Sequence, residues 1–180
     1  MDQQPIDPML FRKILGRFAT GVTVISIPHG EHAHGMTANA FLSVSLDPPL
    51  VLISIGHRAQ MHGMLGVGDC YGVSILSEDQ ELLSRHFGGR PVDWLDVPFV
   101  WEQGMPLICG AVAHLIARVV DVHPAGDHTL FIGQVEYLDA NEGFPLLFYT
   151  GAYSQLTDRR DPHVAETLGF GFIDPPKQRP

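Results

Sequence analysis

The segment Gly35-Met36-Thr37-Ala38-Asn39-Ala40-Phe41 gathers small and polar residues at the end of an extended run. Ser43 and Ser45 follow at alternate positions, which on a strand puts both side chains on one face. Backbone N–H and C=O groups approach a ligand closely where side chains are small. Thr37 and Asn39 can each donate and accept hydrogen bonds. A flat ligand with many polar edges needs such a place. The same residue types also suit a turn in which Asn and Ser cap the chain ends, and spacing alone favours that turn.

Other candidate groups are weaker. His29, His32 and His34 share a short segment with Glu31, and His32 and His34 fall on one strand face. Without a nearby Cys or Asp, this reads as an exposed polar turn rather than a metal site. His57 and His62 read as surface residues, and His114, inside an apolar run, as structural. Cys70 and Cys109 have apolar neighbours and read as two buried, inert thiols.

The elements that must position these groups are mostly strands. Asp7-Pro8 is a good helix start, and Met9, Leu10, Ile14, Leu15 and Phe18 recur at helical spacing, so a short helix ends near Gly16. Residues 20–27 are β-branched and nearly alternate. Residues 33–38 read as a second strand in a hairpin with the first. Residues 42–46 and the apolar run 50–55 follow, broken by Asp47-Pro48-Pro49. Residues 59–67 are weakly helical, and 69–75 is a strand. Ser77, with Gln80 three positions on, predicts a capped helix to about His86. Residues 88–105 read as an irregular surface excursion. Strands are expected at 111–122, 129–138 and 146–149. Seven or eight strands without regular intervening helices disfavour a doubly wound parallel sheet and predict a closed antiparallel one. Residues 1–155 read as one domain and 156–180 as a polar, Pro-containing tail.

Composition narrows the function. Eleven basic and twenty acidic residues give a net charge of -9, which disfavours nucleic acid but not a phosphorylated cofactor held by local groups. Charged residues are only 17%, which points to surface hidden in an oligomer. No basic, apolar leader opens the chain and no run is long enough to span a bilayer, so a cytoplasmic location is expected.

Three separated motifs in order carry a resemblance. They are Met36-Thr37-Ala38-Asn39 with Phe41 and Ser43-Val44-Ser45-Leu46-Asp47-Pro48-Pro49-Leu50-Val51, then Gly126-Asp127-His128-Thr129-Leu130-Phe131-Ile132-Gly133-Gln134-Val135, then Pro145-Leu146-Leu147-Phe148-Tyr149 with Gly151 and Tyr153. With Phe18 to Val24 as a first strand, the chain resembles the flavin reductase-like family over roughly residues 8 to 153. The resemblance implies an all-β barrel with peripheral helices, the FMN-binding split barrel. It implies reduction of FMN or FAD by NADH or NADPH, supply of reduced flavin to the oxygenase component of a two-component monooxygenase, and a homodimer.

It also implies roles by position. Met36, Thr37, Ala38 and Asn39 line the isoalloxazine edge and sugar chain, joined by Ser43, Ser45 and Tyr153. Ser54 faces the flavin from a neighbouring strand. Phe87 and Arg90 contact the phosphate or adenylate end. His128 stands at the reactive face, where it orients the nicotinamide carboxamide or helps protonate reduced flavin. One segment departs from the family pattern. Gly56-His57-Arg58-Ala59-Gln60-Met61 lacks the hydroxyls that many members place around the phosphate. Arg58 and the backbone N–H groups of Ala59 and Gln60 are the substitutes at hand.

Hydride transfer is chemistry that nicotinamide and flavin carry themselves, so no triad, nucleophile or metal is required. The alternatives are a split-barrel oxidase of the pyridoxine-phosphate type, which needs more basic residues than this chain shows, a flavin-binding redox protein without turnover, and a metal module on the hairpin histidines.

Overall fold

A computed structural model describes residues 5–156 of the chain. The predicted tail lies outside them, apart from its first residue. Helix α1 (Pro8–Leu15) starts as expected: Pro8 needs no N–H partner, and the Asp7 carboxylate accepts from the Met9 amide at 2.9 Å. None of its residues is buried.

Strands β2 (Thr23–His29), β3 (His32–Ala38), β4 (Phe41–Leu46), β5 (Pro49–Gly56), β6 (Cys70–Ile75), β9 (Ala113–Ala125) and β10 (His128–Ala140) form one seven-stranded sheet. Its order is β3-β2-β6-β9-β10-β5-β4, and all pairings are antiparallel. The edge strands β3 and β4 are consecutive in sequence and joined through Asn39 and Ala40, so the sheet must curl to bring its edges together. Along β5 the alternate residues Val51, Ile53 and Ile55 are buried, the period of a strand with one face inward. They meet Ile25, Ile27, Val73, Leu115, Ala117, Val119 and Phe131 in one core cluster. The 3-10 turn Gln60–Met64, where weak helicity was expected, closes that cluster with Met61.

Strand β2 is buried on both faces. Its neighbour Val22 and its own Val24 join Leu76, Leu83, Ile108 and Leu146 in a second cluster beneath helix α2 (Glu81–Phe87). This explains the apolar density of residues 22–27: a strand between two cores has no solvent side to alternate toward.

Several expectations need correction. Ser77 does not cap α2; Gln80 occupies that position and turns its side chain back to accept from the Ser77 amide at 3.0 Å. Within the excursion, β7 (Phe99–Glu102) pairs with β8 (Met105–Ile108). At the carboxyl end β11 (Leu147–Tyr149) pairs with β12 (Ala152–Ser154) and with the two-residue strand β1 (Thr20–Gly21). Cys109 is exposed and Cys70 half-buried, so neither is the core thiol its neighbours suggested. The Cys70 thiol is nonetheless pushed up, mainly by desolvation, and is poorly suited to act as a nucleophile. His114 is buried, and its Nε2 lies 2.7 Å from the Ile108 carbonyl, a structural role as read.

Candidate flavin site at the split of the barrel

The end of β3 stands where the two sheet edges meet. Thr37 Oγ1 donates to the Ser84 carbonyl of α2 at 2.7 Å, and Ser84 Oγ lies 2.8 Å from the Tyr153 hydroxyl. These bonds fasten β3, α2 and β12 around a cleft of about 160 Å³ that Asn39, Val22 and Phe148 also line. Met36 packs on the barrel core, Ala38 is buried, and Asn39 is exposed.

On one side the cleft adjoins a wider one of about 430 Å³, sharing Phe148 and Tyr153 with it. Arg85 and Arg90 line this part. The Arg85 guanidinium sits 4.8 Å from the centre of the Tyr153 ring and pairs with Glu81 at 2.6 Å. Phe87 does not line either cleft. It lies against Gly35, where a Cβ would come within 2.6 Å of the ring, and it packs near Phe99. Glycine at 35 is what lets α2 approach β3 closely.

On the other side Asn39 lines a cleft of about 280 Å³ with Phe18, Thr20 and Phe41. Thr20 Oγ1 is buried there without a hydrogen-bond partner among the described residues. An orphaned hydroxyl costs stability unless something pairs with it, so it fits a ligand with polar edges. Ser43 and Ser45 do not alternate as simply as expected. A register shift between them leaves Ser43 exposed and Ser45 half-buried.

A second group gathers at the far end of β5. The Ser54 amide donates to Ala40 at 3.1 Å, which ties this strand to the residue after Asn39. Two residues on, Gly56 pairs across the sheet with His128, so the two sites lie about 7 Å apart along the strand. His128 Nδ1 is 2.7 Å from Asp127 Oδ1. That hydrogen bond, more than any other influence, holds the Asp127 carboxyl below the usual carboxylate range. An ionised Asp127 fixes the proton of His128 on Nδ1 and leaves Nε2 over Gly56, where a Cβ would sit 3.4 Å from it.

Arg58 is exposed and makes no ion pair among the described residues. The Ala59 amide is committed to the Gly56 carbonyl at 2.9 Å, so it is not a free donor. His57 and His62, read as surface residues, instead share the hydroxyl of Thr129, which the sequence did not single out. His62 Nε2 lies 2.9 Å from Thr129 Oγ1, and His57 Nε2 lies 3.2 Å from the same oxygen. Ser84 and Arg85 were also missed. On a short helix with Glu81 and His86 they look like ordinary polar positions.

The donor set suits a flavin: Thr20, Asn39 and Ser54 offer hydrogen bonds along a flat edge, and Arg58 offers charge for a phosphate. The curled antiparallel barrel with a polar seam at its split is thus the kind of scaffold that a flat, polar-edged cofactor such as a flavin can enter. A sequence profile described as "Flavin reductase like domain" matches residues 15–157, and the chain belongs to that family. It is 52% identical over 154 residues to an NADH-dependent flavin reductase from Rhodococcus, covering 84% of this chain and 88% of that protein. It is 40% identical over 147 residues to the reductase component of 4-hydroxyphenylacetate 3-monooxygenase from Thermus thermophilus, covering 81% and 95%. Among solved structures, the flavin reductase PheA2 superposes with a TM-score of 0.81 at 48% identity, covering 85% of this chain and all (100%) of that one. The NADH:FAD oxidoreductase SgcE6 of Streptomyces globisporus, in complex with NAD and FAD fragments, gives 0.79 at 40% identity, covering 88% and 100%.

Proposed function

We infer that the protein is a nicotinamide-dependent flavin reductase that delivers reduced FMN or FAD to a separate monooxygenase. The observation that carries this is the seam itself: Thr20, Asn39 and Ser54 gather where the barrel edges meet, with His128 paired to Gly56 two residues further along β5, in a family whose relatives are named for this reaction. When bound, nicotinamide and flavin supply the hydride donor and acceptor; the protein has to hold them face to face.

Met36 to Asn39 and Ser54 hold the edge of the flavin, with Ser43 and Ser45 behind them on β4. Arg58 and Gln60 meet its phosphate. The arginine cleft, with Arg90 and Tyr153, takes the more distant anionic part of a dinucleotide, and Phe87 braces that wall from behind. His128 faces the reacting rings. Its Nε2, bare while Asp127 keeps the proton on Nδ1, accepts a hydrogen bond from a carboxamide N–H and orients the nicotinamide. NADH is the expected donor, because the Rhodococcus relative and SgcE6 are both named for it. The test is steady-state NADH oxidation in air. Turnover that requires added FMN or FAD is expected. Tight flavin binding without NADH or NADPH consumption would instead fit a non-catalytic flavin protein.

The reading includes a homodimer. Met9 of α1 is 74% exposed, Phe18 beyond it 78%, and Leu46 of β4 66%, a large apolar surface for a monomer to leave in water. Gel filtration should give twice the chain's mass, and a monomer would count against the dimer. No helix among the described residues is long and apolar enough to cross a membrane. A cytoplasmic setting is proposed because that is where reduced nicotinamide is regenerated.

A further inference from the structure

The phosphate segment lacks the hydroxyls common in its relatives, yet one hydroxyl is present from a distant strand. Thr129 Oγ1 of β10 is 7% exposed as a residue and stands between two imidazoles, His62 Nε2 at 2.9 Å and His57 Nε2 at 3.2 Å. The two rings lie edge to face with centroids 4.9 Å apart. A hydroxyl has one proton to donate. Thr129 therefore donates to one ring and accepts from the N–H of the other. Neither Nδ1 has a hydrogen-bond partner among the described residues.

This arrangement limits the charge the pair can carry. One proton added to the Nδ1 of the donating ring makes an imidazolium without breaking any hydrogen bond. A second would make both Nε2 atoms donors to the same oxygen, leave the Thr129 proton without an acceptor, and set two cations 4.9 Å apart. The chain is built to hold one proton. His57 is the exposed member of the pair and directly precedes Arg58, a guanidinium with no ion pair among the described residues, so His57 is the ring a docking anion reaches.

The geometry points to a proton-coupled phosphate clamp: His57, Thr129 and His62 take up one proton when a phosphate ester of the flavin or nicotinamide docks at Arg58. This rests on the flavin-reductase reading of the same site. The other titratable groups around it are Asp127 and His128, bonded to each other, and His123 on β9, paired with Asp121 at 3.0 Å. On β3, which packs on the 3-10 turn, His34 is held low first by burial and then by His29, and His32 is exposed. Asp127 favours the added proton, and Arg58 opposes it until a phosphate arrives.

Calorimetric titration in two buffers of different ionisation heat measures the proton taken up. Between about pH 7 and 8.5 the phosphate of FMN is already a dianion, so uptake reports the protein. FMN is expected to bring in up to one proton and riboflavin none. The preference for FMN over riboflavin should fall by up to about tenfold per pH unit through that range. His57→Gln should bind FMN without uptake. Uptake with NAD⁺ but not FMN would place the dinucleotide's phosphates on the clamp. Equal uptake by FMN and riboflavin, no uptake with either FMN or NAD⁺, or uptake that survives in His57→Gln would overturn the inference and leave flavin reduction standing. FMN and riboflavin that both fail to bind would overturn the flavin reading as well.

Discussion

Gly133→Ala is expected to destabilise the barrel by roughly 2–3 kcal/mol, the upper range for overpacking a core. Gly133 is on β10, paired with Val51 on one side and Val119 on the other. Tyr71, fully buried, reaches over Ala117 of the intervening strand β9, and its hydroxyl rests against the Gly133 backbone. A methyl group there would overlap that hydroxyl and lie 2.9 Å from the Ala117 Cβ and 3.0 Å from Tyr71 Cζ. Neither neighbour can yield, because the ring fills the interior and Ala117 is part of the wall. Thermal unfolding should fall by about 4–12 °C for a chain of this size. Tyr71→Phe provides the control. The Tyr71 hydroxyl has no hydrogen-bond partner among the described residues, so its removal alone should be neutral or stabilising. In the double variant it should recover part of the loss. A fully stable Gly133→Ala protein would mean that the barrel interior is looser than these contacts require.

His128→Ala is expected to slow hydride transfer on the order of 100-fold, the scale on which misplacing a reactant acts. Flavin affinity should hardly change, because the groups proposed to grip the flavin lie on β3, β5 and the following turn. Asp127→Asn should give a smaller loss: an amide can still hydrogen-bond to Nδ1 but no longer fixes the proton there. Rapid mixing under anaerobic conditions separates binding from transfer. An unchanged transfer rate in His128→Ala would remove the residue from the reaction. A changed flavin affinity with unchanged transfer would move it to the binding site.

The barrel was readable because its inward residues repeat with the period of a strand, as Val51, Ile53 and Ile55 do on β5. Segments whose order depends on tertiary partners were not. Residues 88–105, with Pro91, Pro98 and Gly104, read as an irregular excursion, yet β7 and β8 pair at its end and leave the buried Leu107 and Ile108 in the core. Strand β12 is short and polar, and it is held by β11 and by the Tyr153–Ser84 hydrogen bond, which no local pattern announces. Of the motif Gly35 to Asn39, Thr37 and Asn39 line the cleft at the barrel's split, while Gly35 admits Phe87 and Ala38 is buried. The His57–Thr129–His62 chain was invisible because its members lie 67 and 72 residues apart in pairs, and each looks ordinary where it stands. Residues 56–61 carry no Ser or Thr, and the buried hydroxyl nearest them in the fold, Thr129, belongs to β10.

The most direct test of the account is a single anaerobic mixing of the protein with NADH and FMN, repeated with FAD, while the visible absorbance of the flavin is followed. Bleaching of at least one flavin, at a rate that scales with the protein and far exceeds the protein-free control, is the predicted result. Absorbance that stays constant with both flavins and with NADH and NADPH alike would contradict the assignment of this chain as a flavin reductase.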